Sequence, residues 1–142
     1  MPVNPFLRRI SETPHAEKLK LQLISAEGHC VTLKLPFSEE IIGDPVNRFI
    51  HGGAITTLID TACGAAIFQA QNSLRSLATL DLRVDYMCPA ASGEDVHATA
   101  ECYRLTHTIA FVRASVFTDD IKKPIATALA TFMRSNTEFP VT

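Results

Sequence analysis

One segment limits the possible folds more than any other. Across residues 54–71, Leu58, Ile59, Ala62, Ala66 and Ala70 recur at spacings of three and four, and Asp60 is the only charged residue. That is the period of a helix. A helix this rich in alanine and this short of charge is covered on most sides, not laid on a surface. Gly64 in its middle costs ~1 kcal/mol relative to alanine, so a close packing contact is expected there.

On both sides of this helix the pattern has a period of two. Leu19, Leu21 and Leu23 alternate with Lys18, Lys20 and Gln22, and Val31, Leu33, Leu35 and Phe37 follow after a turn at Glu27-Gly28. The pair reads as a hairpin. After Asn72-Ser73, Leu80, Leu82, Val84, Tyr86 and Cys88 alternate with Thr79, Asp81, Arg83 and Asp85. Three more strands are expected at 95–105, 109–117 and 124–133, and a short amphipathic turn or helix at 6–10. An antiparallel sheet with one wet face needs cover on the other, and only one long helix can supply it. The expected fold is therefore α+β: a curved antiparallel sheet wrapped around one long central helix, a single domain over 1–142 with its core at about 18–134. Such a sheet leaves a strand edge and a helix flank for a second copy, so a twofold dimer is expected.

Composition narrows the partners. Thirteen basic and fifteen acidic residues give a formal net charge of -2, without a Lys/Arg run, so no nucleic-acid partner is expected. No uninterrupted apolar run of eighteen residues occurs, and Met1-Pro2-Val3-Asn4-Pro5 lacks the basic head and apolar core of a secretory signal. No membrane span and a cytoplasmic location are the expectations. Cys30, Cys63, Cys88 and Cys102 lack C-x-x-C spacing and read as buried thiols. The histidines lack metal-ligand spacing, so no metal is expected. Phosphate-binding glycine loops and the G-x-S-x-G elbow are missing too, which speaks against nucleotide, dinucleotide and serine-hydrolase chemistry.

The chemistry concentrates at the helix start. His51-Gly52-Gly53 stands where loop becomes helix. The first amides of a helix have no internal acceptors and carry a positive local field, so the Gly52 amide is placed to polarise a carbonyl or hold an oxyanion. His51 serves either as a general base or as a structural hydrogen-bonding group at this turn. Asp60 lies in the most apolar helix, where a carboxylate needs a specific reason. Thr79 has a hydroxyl that can orient Asp60 or a water. Gly52 and Asp60 are eight residues apart, roughly 12 Å along a helix axis. One carbonyl cannot touch both within a chain, whereas two helices in a twofold dimer can bring Gly52 of one to Asp60 of the other.

The run Arg48-Phe49-Ile50-His51-Gly52-Gly53-Ala54-Ile55-Thr56-Thr57-Leu58-Ile59-Asp60 resembles the signature of PaaI-type acyl-CoA thioesterases of the hotdog-fold superfamily. Thr79-Leu80-Asp81-Leu82-Arg83-Val84-Asp85-Tyr86-Met87-Cys88-Pro89-Ala90 resembles the family's next strand. The resemblance implies a sheet wrapped around one helix, dimers and usually tetramers, and active sites at the dimer interface. It implies Asp60 as nucleophile or general base, Gly52 as the polarising amide and Thr79 as a positioning hydroxyl. It implies a CoA thioester substrate, an acyl carrier protein thioester being the variant, with no cofactor. Substrate contacts are expected at Gly53, Asn47, Arg48, Ile55, Ile59, Cys63 and Leu82.

The chain departs from the pattern six and three positions before His51. Pro45 stands where many members carry a polar residue, and Arg48 where they carry glycine. Asp44 or Asn47 is then left to take the polar role. Arg48 either contacts a CoA phosphate or lies in solvent. Two other functions fit the same frame: a hydratase or dehydratase using His51 with Asp60, and a non-catalytic acyl-CoA-binding protein.

Overall fold

The computed structural model describes residues 5–138. A 3-10 turn, Pro5–Glu12, leads into a short helix α1, Pro14–Leu19. Six strands and one long helix follow: β1 Gln22–Glu27, β2 Cys30–Leu35, α2 Gly52–Gln71, β3 Arg75–Tyr86, β4 Val96–Leu105, β5 Ile109–Phe117 and β6 Ala126–Glu138. The strands form one antiparallel sheet in the order β1-β2-β4-β5-β6-β3. This is the sheet wrapped around one helix that the residue pattern predicts and the family resemblance implies.

The inner face of the sheet closes on α2. Val31, Leu33 and Leu35 of β2, Val96, Ala98 and Ala100 of β4, and Val112 and Val116 of β5 are fully buried, as are Leu58, Ile59, Ala62, Cys63, Ala66 and Ile67 of the helix. Alanines on both partners let the helix lie close to the sheet. By length and composition α2 could cross a membrane. Here it is instead the core of a wrapped sheet.

Three expectations need correction. The strand expected at Leu19 begins only at Gln22, because Pro14 opens a helix that ends at Leu19 and is capped by Lys20 at φ 59°. Proline is favoured at the first helical position, and the alternation of leucines and lysines hid it. The four cysteines are not all buried: Cys63 and Cys102 are, Cys30 is intermediate and Cys88 is exposed. The close contact expected at Gly64 is not made within the chain. A Cβ at that position would meet only Phe132 Cε2, at an ordinary 3.8 Å.

The edge strand β3 carries the break in regularity that matters most. Its register against β6 slips between Thr79 and Asp81, so Thr79 pairs with Phe132 and Leu82 with Ala130. Strict alternation would put Thr79 and Leu82 on opposite faces. The extra residue, a β-bulge at Leu80, puts both on the helix side and leaves Leu80 exposed.

Candidate active site

The start of α2 is built by His51. Its backbone is extended, and its Nδ1 accepts the Gly53 N–H at 2.8 Å, an N-cap made by a ring instead of a hydroxyl. Gly53 has to be small there, because a Cβ would stand 2.8 Å from that nitrogen. The next two amides, of Ala54 and Ile55, point to the His51 carbonyl. Among the described residues no acceptor faces the Gly52 N–H. It is left open at the positive end of a 20-residue helix.

Tyr86, at the end of β3, fixes the same spot. Its hydroxyl donates to the Gly52 carbonyl at 2.8 Å and meets Thr56 Oγ1 at 2.7 Å. It lies beside Gly52 in a cleft of about 350 Å³ that Ile55 and Cys88 also line. Sequence reasoning gave Tyr86 no role. Its signal was a tyrosine ending the edge strand just before Met87-Cys88-Pro89.

A second cleft, of about 250 Å³, holds Asp60 and Thr79. The Thr79 hydroxyl donates to Asp60 Oδ1 at 2.8 Å, and the bulge at Leu80 is what turns it inward. Asp60 is half-buried, at a break in the apolar surface of α2. The structure thus puts Asp60 with Thr79 in one cleft and Gly52 with Ile55 in another that shares no residue with it, while His51 and Gly53 form the helix cap and line neither.

The other expected contacts lie elsewhere in the chain. Ile59 and Cys63 are in the core and line neither cleft. Burial pushes the Cys63 thiol up to about 12, so it stays protonated and is no nucleophile. Leu82 packs half-buried against the core. Asn47 and Arg48 belong to an exposed loop. Asp44 accepts the amides of Val46 and Asn47 and the Asn47 side chain, and these bonds hold its carboxyl below the usual range, the Asn47 side chain foremost. Arg48 pairs with Glu39. Its φ of 60° is left-handed, which explains why glycine suits this position in the family pattern.

A third groove, of about 420 Å³, lies on the outer face of the sheet. Its carboxylates are both paired, Glu101 with Arg113 at 2.7 Å and Asp85 with Arg83 at 3.4 Å, and no helix terminus lines it, so it is a poor candidate for hydrolysis. Among the described residues no group of three His, Cys, Asp or Glu could hold a metal.

Comparison with known proteins agrees with this fold. An esterase-like protein of Halobacterium salinarum is 36% identical over 89 residues, 61% of this chain and 58% of that protein, so the match spans less than two thirds of its length. The medium/long-chain acyl-CoA thioesterase YigI of Escherichia coli K12 is 26% identical over 133 residues, 84% of each chain. A crystal structure from Pseudomonas aeruginosa superposes with a TM-score of 0.84 at 42% identity, over 94% of this chain and 99% of that one. Residues 47–125, which run from the loop before His51 through β3, β4 and β5, match the family described as the thioesterase superfamily. The E. coli PaaI protein shares the fold, with a TM-score of 0.82 at 14% identity over 98% of this chain and 100% of that one, and the chain belongs to the thioesterase superfamily.

Proposed function

We propose that the protein hydrolyses an acyl-CoA thioester to the free acid and CoA, with each active site shared between two chains. One observation carries this reading. The open Gly52 amide and the Asp60–Thr79 pair sit in separate clefts on one rigid helix, roughly 12 Å apart along its axis. Neither cleft has both an oxyanion donor and an acid. A twofold partner supplies to each what it lacks. The assembly is a homodimer, alone or doubled into a tetramer.

In this site the thioester carbonyl oxygen lies on the Gly52 amide of one chain. Asp60 of the other chain, oriented by Thr79, either takes a proton from the attacking water or attacks the carbonyl carbon itself. In the first route the water oxygen bonds to carbon. In the second a mixed anhydride forms, which water then cleaves. The tetrahedral oxyanion is held by the same amide in both. The C–S bond breaks and the electron pair leaves with sulfur. A thiol is already a modest acid, with a pKa of about 8.5, so the leaving group needs little protonation. Similarity to the E. coli thioesterase supports a medium or long acyl chain on CoA. A hydratase pairing His51 with Asp60 has less support, because the His51 Nδ1 is occupied by the cap and Asp60 lies two helical turns away.

Complementation tests the shared site. Gly52→Pro removes the one N–H that matters and keeps the helix start, since proline is suited to the first helical position. The extended backbone of His51 before it is compatible with proline as well. Neither Gly52→Pro nor Asp60→Asn homodimers should release CoA at more than about a hundredth of the wild-type rate. Heterodimers of the two variants should regain one intact site. Verified heterodimers with no recovery would overturn the cross-chain geometry.

A further inference from the structure

Gly64 follows Asp60 by four residues, one turn along the same face of α2. It is an unfavourable residue for the middle of a helix, and packing within the chain does not call for it. A Cβ there would touch one carbon of Phe132 at 3.8 Å and nothing else within 4 Å. The missing side chain instead leaves open the cleft in which Asp60 and Thr79 stand. Beyond that polar pair and Thr61, the cleft is walled by Ile10, Phe68, Leu77 and Phe132, without a second charged residue among the described residues.

We infer that this cleft receives the acyl chain of the substrate, and that Gly64 sets how much of a chain can pass beside the carboxylate. The inference rests on the hydrolase reading for its orientation. With the thioester carbon at Asp60, the first carbons of the acyl group lie against Gly64 and the rest run toward Phe68 and Leu77. The phosphates of CoA point the other way, because an apolar wall cannot hold their charge. Size agrees with this assignment. An apolar cavity of about 150 Å³ takes up benzene, so about 250 Å³ accommodates an arylalkyl group or a medium alkyl chain.

The test compares Gly64→Ala and Gly64→Val in the full chain, with butanoyl- and decanoyl-CoA and free thiol release as the readout. Gly64→Val should lower the decanoyl-to-butanoyl ratio of kcat/KM at least tenfold. Gly64→Ala should lower it less and raise Tm, because alanine is the better helix former and has room. A ratio unchanged within twofold in folded variants overturns the inference. If Gly64→Val does not fold, Gly64→Ala decides by the same ratio. If the wild-type protein releases CoA from neither substrate, the hydrolase reading fails and the cleft is judged separately, by calorimetric binding of decanoate. Binding weakened at least tenfold by the Gly64 substitution keeps the cleft assignment, and equal binding, or none to the wild type, rejects it.

Discussion

Strands β5 and β3 are built from the same kind of alternating sequence and do different things. In β5, Ile109–Phe117, every second residue is buried from Ala110 to Val116, and both neighbours pair with it strand to strand. Every inward side chain serves the core. In β3 the alternation slips at Leu80, one edge has no neighbour among the described residues, and the inward positions include Thr79 and Tyr86, which hold the two ends of the candidate site. A perfectly regular strand has no spare inward position for a polar group. The edge strand can give up a ladder bond and some packing to aim one.

Breaking the site should separate the two strands most sharply through Asp60. Asp60→Asn keeps an oxygen to accept from Thr79 and removes the base and nucleophile. Turnover of acyl-CoA should fall at least ~10²-fold, with Tm and oligomeric state preserved; an unchanged kcat would remove Asp60 from the chemistry. The opposite damage belongs to β5. Val112→Ala deletes two fully buried methyl groups and should cost about 2 kcal/mol of stability. Denaturant unfolding would register that loss, while kcat per folded molecule at moderate temperature should hold.

Thr79→Val joins the two cases, because it fits a strand but lacks the hydroxyl. Loss of one hydrogen bond to a carboxylate should lower kcat about tenfold, with KM nearly constant, and Thr79→Ser should restore most of it. Equal loss in the serine variant would mean that the methyl, not the hydroxyl, matters. The smallest effect is expected at Arg48→Gly. Glycine relieves the left-handed backbone at φ 60°, and the change gives up an exposed pair with Glu39 that is worth little. Stability should shift by less than about 1 kcal/mol, upward if backbone strain dominates, as thermal melts of the two proteins would read.

Much of this architecture was legible. The helix over 54–71, which begins two residues earlier at Gly52, followed from its apolar spacing, and β5 from strict alternation, because both are single periods. The Gly52 and Asp60 assignments came from their chemistry in an apolar setting and from the family signature. What escaped were places where one residue changes the period. Pro14 and the left-handed Lys20 turned an apparent strand into α1. The bulge at Leu80 reversed which face Thr79 presents, and nothing in Thr79-Leu80-Asp81 announces it, since bulge position depends on the partner strand. Tyr86 was hidden differently: its hydroxyl reaches Gly52 across 34 positions of sequence, a distance no local pattern spans. Cys88 read as buried because it continues an apolar alternation, but it lies past the end of β3 and outside the ladder.

The wrapped helix also dictates an order of events during synthesis. α2 leaves the ribosome when only β1 and β2 of its cover have been made. Strands β4 and β5, which close most of the rest, begin at Val96 and end at Phe117. At about 5–20 residues per second, the gap from Gln71 to Phe117 lasts a few seconds. For that interval a 20-residue segment apolar enough to cross a membrane has only the β1–β2 hairpin to pack against. A nascent chain in this condition invites holding chaperones and self-association, so yield on expression should depend more on translation speed and temperature than the stability of the finished domain would suggest.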